Sequence, residues 1–246
     1  MPMKSIFKKD FQLLTTKTQE LGWDDVLYSF YPRPMYLNKQ IQPVLHFSEG
    51  FGSFVAHYIR SNYGNRDFVL RLAMNRRETP IDWWEDIEAG NVTPEEMEVT
   101  LDAKNNFEIH QGLSVPVLDG TFAIAGISVI SKNSDRDHFL RLKNDFAQDL
   151  YDAANEYHLK TIAKKDGLLF FIQPLMDSLN EKKQAVIKHL ITGKPLKVID
   201  KTYDITPEYA KKVVAKLRKE FGNVTTNELI YLMGLINIQK YLSAPF

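Results

Sequence analysis

The run PEYAKKVVAKLRKEF, residues 207–221, sets Lys211, Lys212, Lys216, Arg218 and Lys219 among Ala210, Val213, Val214, Leu217 and Phe221. At helical spacing the apolar set faces inward and the cations stay largely outward. A cationic helix face of this kind neutralises phosphates. The chain as a whole has zero net charge, but residues 179–246 hold twelve Lys/Arg against six Asp/Glu. The remainder is acidic by the same margin. A basic module beside an acidic one is the footprint of nucleic-acid binding, although a solvated lysine-rich helix gives the same composition.

Catalytic chemistry finds little support. GxGxxG, P-loop, GxSxG and HExxH patterns are absent. The histidines at 46, 57, 110, 138, 158 and 189 are scattered without metal-ligand spacing. The pairs Glu95-Glu96 and Glu85-Asp86 fall where helix capping explains them. Asp82-Trp83-Trp84 offers one aromatic pair, a weak basis for glycan binding. Cysteine is absent, which excludes disulfides and thiolate metal sites and fits a reducing cytoplasm. No apolar run reaches the roughly eighteen residues of a membrane span. The start, MPMKSIFKKDFQLL, carries charges where a secretory signal needs its apolar stretch. No cofactor is implied, and the expectation is a cytoplasmic protein that is not an enzyme.

The elements that must position any site read as follows. Residues 4–21 place Ile6, Phe7, Phe11, Leu13, Leu14 and Leu21 at roughly helical spacing, and Gly22 ends that helix. VLYSFY is a strand, PRP a loop, and VLHF near residue 45 a further short strand. Residues 50–63 predict a helix with Phe51, Phe54, Val55, Tyr58 and Ile59 on one face, closed by Asn-Tyr-Gly-Asn. Thr93-Pro94-Glu95-Glu96 opens a helix over 91–110 with a capping box. LSVPVLDG and TFAIAGISVIS form a hairpin around Asp119-Gly120, a two-residue turn signal. Residues 134–163 form a long amphipathic helix. These elements give an α/β domain, an α-β-α sandwich, over residues 1–165. A linker follows at 166–178, where LLFFI is too apolar to be free in solvent.

Residues 179–246 read as an all-α four-helix domain. Asn180 caps the first helix and Gly193 ends it, and LKVIDKTY forms a short second one. Thr206 caps the third, with Pro207 at its first position, Glu208 at its positive end and Gly222 at its close. A fourth runs from near Thr226. A tight turn before a basic helix is the plan of a helix-turn-helix, and also of a plain helical bundle. Residues 179–235 resemble the LuxR-type helix-turn-helix in Leu179, Val186-Ile187, Gly193, Val198-Ile199, Ile205-Thr206, Leu217 and Gly222. The family's usual Thr-Val is Tyr209-Ala210 here, and its His is Val213, which counts against the usual operator sequence. The resemblance implies base-proximal contacts from Thr206, Tyr209 and Lys211, and phosphate contacts from Lys212 and Lys216.

FVAHYIRSNYGNRDFV resembles the ligand motif of the same family's autoinducer-binding domain, with Phe54, Tyr58 and Asp67 at the motif spacing. Trp84 matches a downstream Trp after a two-residue shift, with Trp83 as the alternative. Gly112 and Pro116 of QGLSVPV match the next landmarks. Ser128 in AGISVIS falls on the strand whose Ser points into the pocket. The resemblance implies that Asp67 accepts from a ligand amide or hydroxyl, that Tyr58 and Ser128 donate to a carbonyl, and that Phe54 and Trp84 form an aromatic wall. A buried Asp67 needs a donor from the ligand or from the protein itself. As alternatives, Asp67 is a capping residue and Tyr58 is ordinary core.

Phe54 has no N–H for a lactone carbonyl. A second family Tyr falls on Gly50, and the Pro after the motif Asp is Phe68. The implied partners are therefore DNA and a small-molecule signal, either an acyl-homoserine lactone or a non-lactone analogue. A homodimer is implied too, with the helix at 134–163 as its candidate contact, because such regulators read two half-sites. The other reading is a ligand-independent regulator of the same type that acts through protein interactions.

Overall fold

A computed structural model describes residues 5–32, 43–75, 79–119, 123–164, 167, 170–171, 179–221 and 223–235. They fall into two compact units, the first reaching to Gly167 and the second holding the helices from Glu181 onward.

The first unit is built on a five-stranded sheet. Its strands are β1 (Asp25–Pro32), β2 (Val44–Phe47), β3 (Ile81–Asp82), β4 (Gln111–Asp119) and β5 (Ala123–Ser131), in the order β2-β1-β5-β4-β3. Side chains alternate between the faces of each strand. The antiparallel registers Tyr28↔His46, Ser114↔Ser128 and Ile81↔Ser114 then fix which residues share a face.

One face is closed by α1 (Ser5–Glu20) and α6 (Arg136–Ala163). In α1 the residues Phe7, Phe11, Leu14, Thr15 and Thr18 are buried, the spacing of a single helical stripe. Gly22 adopts φ +94 behind it, with the Leu142 side chain packed against its Cα. Asp135 starts α6 by accepting from the N–H groups of Asp137 and His138 at 3.0 and 3.2 Å. Between this helix layer and the sheet lie Tyr28, His46, Tyr157 and His158. The Tyr28 hydroxyl is 2.8 Å from His158 Nδ1, and the Tyr157 hydroxyl is 2.5 Å from His46 Nδ1.

The other face carries α2 (Gly52–Arg60), α3 (Phe68–Met74), α4 (Trp83–Glu88) and α5 (Pro94–Phe107). Thr93 and Glu96 make the expected capping box, with Pro94 in the first turn. Arg71 of α3 chelates Glu96 of α5, through Nε at 2.5 Å and Nη2 at 2.9 Å, and holds its carboxyl below the usual range. The two helices are thereby fixed to each other over the sheet.

Several expectations are corrected. The helix expected from residue 50 begins at Gly52, after a 3-10 turn over Glu49–Phe51. Ile59 is 53% exposed and leaves the apolar face. Residues 68–74 and 81–88, unassigned from sequence, form α3, β3 and α4. Asp119 pairs with Ile124, so four residues intervene where a two-residue turn was expected, and the register shifts between Pro116 and Leu118. The expected linker lies largely outside the described residues, although Phe170 and Phe171 within it are buried. The Gly222 cap also lies outside them.

The second unit holds α7 (Glu181–Leu190), α8 (Pro207–Glu220) and α9 (Thr226–Leu235). The segment Leu196–Lys201, expected as a helix, is a 3-10 turn. Asn180 Oδ1 accepts from Lys183 N at 2.9 Å and Thr206 Oγ1 from Tyr209 N at 3.3 Å, so both expected caps form. Val186, Ile187, Ile199, Ala210, Leu217 and Leu229 pack into one core. Each large aliphatic side chain buried there contributes about 1.5–3 kcal/mol. Lys183 bridges to Glu220 at 2.8 Å and ties α7 to α8.

Candidate functional site

The two faces of the sheet are not alike. On the side of α1 and α6, Val26, Tyr28, Phe30, Val44, His46, Leu113, Val115, Ile127 and Val129 are all buried. On the side of α2 to α5, Leu27, Ser29, Pro116, Gly126 and Ser128 keep accessible surface. This is notable for Ser128, because β5 is the central strand. The helices cover this face at one end, where Phe51, Phe54, Phe68, Ile81, Trp83 and Ile130 form a core with Tyr58 at its margin.

Tyr58 and Asp67 are brought together. The Tyr58 hydroxyl donates to Asp67 Oδ2 at 2.7 Å. Asp67 Oδ1 accepts from Val69 N at 2.8 Å and Leu70 N at 3.4 Å, which caps α3. Burial pushes the Asp67 carboxyl above its ordinary value, against the pull of these three donors. Asp67 is therefore a cap and a tyrosine acceptor together, and its internal donors are named. Phe54 is buried with its ring edge-on to Tyr58 at 6.0 Å and to Phe107 at 5.3 Å.

Of the tryptophan pair, Trp83 faces this core. Its indole N–H donates to Ser114 Oγ at 3.0 Å, and Ser114 Oγ lies 2.7 Å from Ser128 Oγ. Gly112 is required there, because a Cβ on it would lie 2.3 Å from the Trp83 ring. Trp84, which the motif spacing favours, is not brought to Phe54 and Tyr58. Its indole donates to the His110 carbonyl at 2.7 Å, and Lys104 sits 4.9 Å over its ring. Consecutive residues at a helix start point in different directions, and Asp82 sets this one by capping α4 through Trp84 N and Glu85 N. Asp82 is itself buried and paired with Arg136 and Lys143 of α6 at 3.0 and 3.1 Å.

Ser114 was missed in the sequence. Its signal was the alternation with Gly112 on one strand face, but the turn length assumed for the hairpin put it out of register. Gly50 has a local cause as well. Its N–H donates to Asp25 Oδ1 at 3.0 Å, and a Cβ would fall 1.9 Å from the same carboxylate.

In the second unit, Lys211, Lys212 and Lys216 are exposed on α8, while Val213, Val214 and Leu217 are buried. Tyr209 is exposed too, with the Lys182 ammonium 5.1 Å over its ring. The Thr206 hydroxyl is engaged as the cap of α8.

The sheet is thus sealed by helices on one face and carries on the other the partly accessible Ser29 and Ser128 and a half-buried Tyr58–Asp67 pair. A family model, the autoinducer binding domain, matches residues 10–160. The chain belongs to the autoinducer binding domain family. No curated protein sequence matches it. Among solved structures it is similar to SdiA of Escherichia coli, at 13% identity and a TM-score of 0.50 over 96% of this chain and 92% of that one. SdiA in complex with octanoyl-rac-glycerol gives 13%, 0.49, 95% and 91%. CepR2 of Burkholderia cenocepacia, an N-acylhomoserine lactone dependent LuxR family factor, gives 16%, 0.46, 63% and 86%. At these identities the likeness to SdiA speaks for the fold alone.

Proposed function

We propose that the chain is a signal-responsive LuxR-type transcriptional regulator. Residues 1–165 bind a small-molecule signal on the less tightly covered face of the sheet, and residues 179–246 bind DNA, as a homodimer. The observation that carries the reading is the Tyr58–Asp67 pair at 2.7 Å, at the margin of the apolar core that packs on this sheet face of an autoinducer binding domain.

The site differs from a lactone receptor in one respect that chemistry can weigh. Phe54 presents an aromatic edge where a lactone carbonyl would need an N–H. Gly50 has no room for a tyrosine while Asp25 holds its backbone. Each missing hydrogen bond costs about 1 kcal/mol. The reading is therefore a signal that sets an apolar group against Phe54 and Phe107 rather than a simple acyl-homoserine lactone.

Native mass spectrometry of the full chain, purified from its own host, tests this. A small molecule is expected on the native protein and lost on denaturation. A bare protein, unchanged by host extract or added lactones, would overturn the sensor reading. A second reading, the ligand-independent regulator, has one observation behind it. Asp67 already draws its three donors from within the protein.

A further inference from the structure

The geometry points to a directed hydrogen-bond relay, Trp83 to Ser114 to Ser128, in which Trp83 and Ser114 are positioning residues that turn the Ser128 hydroxyl into a donor for an acceptor atom of the signal. The inference deepens the signal-binding reading and rests on it.

An indole N–H can only donate. The 3.0 Å contact therefore makes Ser114 Oγ the acceptor. A hydroxyl whose oxygen accepts a hydrogen bond becomes a better donor through its own proton, because chains of hydrogen bonds polarise one another. The next oxygen in reach is Ser128 Oγ at 2.7 Å, directly opposite across the β4–β5 register. The 2.7 Å contact admits either hydroxyl as donor, and the relay is the arrangement in which Ser114, its oxygen engaged by the indole, donates to Ser128. The Ser128 proton is left to point onward, and Ser128 is the relay member that keeps accessible surface.

The relay is held from below. Ser114 and Trp83 are both buried. The Trp83 ring lies flat against Gly112, so close that no Cβ fits between them. Asp82, the neighbour of Trp83, is locked to Arg136 and Lys143. A donor so fixed discriminates sharply, because an analogue without the acceptor leaves a polar group unpaired. The signal thus carries a carbonyl-type oxygen over β5, and the site selects for it.

Two measurements on the full chain test the inference. The first needs no ligand. In the ¹⁵N-labelled protein, the Trp83 indole N–H is expected to exchange slowly with solvent. It should exchange about tenfold faster in Ser114→Ala and stay slow in Ser128→Ala. Fast exchange in the parent protein, or no change in Ser114→Ala, overturns the relay.

The second uses N-phenyloctanamide and N-octylaniline, which differ only in the carbonyl oxygen and both keep an N–H for Asp67. The parent is expected to prefer the amide by about tenfold, and both serine variants to lose that preference. An undiminished preference in Ser114→Ala overturns its role. If neither compound binds the parent, the apolar-headgroup reading falls, and indole exchange still decides the relay.

Discussion

The Tyr58 hydroxyl reaches Asp67 Oδ2 at 2.7 Å while the other carboxylate oxygen caps α3. One side chain thus joins α2 to the start of α3. Tyr58→Phe removes one of three donors and should cost about 1 kcal/mol in urea unfolding at neutral pH. The pH dependence has a definite sign. Burial raises the folded Asp67 carboxyl above its ordinary 3.8, so the stability it gives is full below that value and is lost as pH rises through the folded value. The Tyr58 donor opposes the rise. Its removal should therefore cost more at pH 7 than at low pH, and equal costs at both would take the carboxylate out of the account.

Gly112 and Trp83 allow a sharper test of which tryptophan serves the site. A Cβ at Gly112 would sit 2.3 Å from the Trp83 ring, and a fused indole held by Ser114 has little freedom to yield. Gly112→Ala should destabilise the domain by about 1–3 kcal/mol, the range for overpacking. Signal binding should weaken with it. Trp84→Phe, by contrast, loses the bond to the His110 carbonyl and weakens the Lys104 contact over the ring, and should leave signal affinity unchanged. Equal loss of affinity in both variants would restore Trp84 to the site.

Much of this was legible from local rules. The capping box at Thr93 and Glu96, the cap at Thr206 and the stripe of α1 follow from side-chain chemistry within a few residues. The errors lie where the answer depends on distant partners. A two-residue turn at Asp119-Gly120 would place Ala125 opposite Ser114, whereas the longer connection and the irregularity near Pro116 place Ser128 there. The Ser114–Ser128 pair was invisible for that reason. Trp83 rather than Trp84 packs in the core of this face, and the neighbouring Asp82 is held by Arg136 and Lys143 of α6, more than fifty residues away in sequence. Gly50 read as a lost ligand contact, and only the approach of Asp25 shows what its missing side chain is for.

The face opposite the candidate site carries its own pH dependence. Burial lowers His46 to about 4 from 6.5, and His158 is lowered by the same cause. The folded protein thus favours neutral imidazoles. Stability that is present above about pH 6.5 is lost as pH falls through about 4. For His46 this amounts to about 3 kcal/mol at most, from 1.36 kcal/mol per pKa unit. His46→Gln, which keeps a partner for the Tyr157 hydroxyl, should flatten the acid limb of stability against pH. It should not abolish that limb, because His158 remains. An unchanged limb would place the acid sensitivity elsewhere.

The proposed DNA binding of the second unit has one quantitative consequence. Lys212 is exposed on α8, two residues from buried Val214, and on the proposed DNA-binding reading it contacts a phosphate. A phosphate contact releases bound counterions, so log K falls with log salt by about 0.9 for each one. Lys212→Ala should therefore weaken binding to every DNA sequence alike and reduce the salt slope by about one. Lys8→Ala, at an exposed position of α1 in the first unit, should leave the slope as it was. Tyr209→Ala should behave differently from both. Its ring carries the Lys182 ammonium and stands near the start of α8, so its loss should change the ranking of DNA sequences more than the slope. A Lys212→Ala protein with the parental slope would take that lysine off the phosphate, and a uniform loss in Tyr209→Ala would take the tyrosine off the bases.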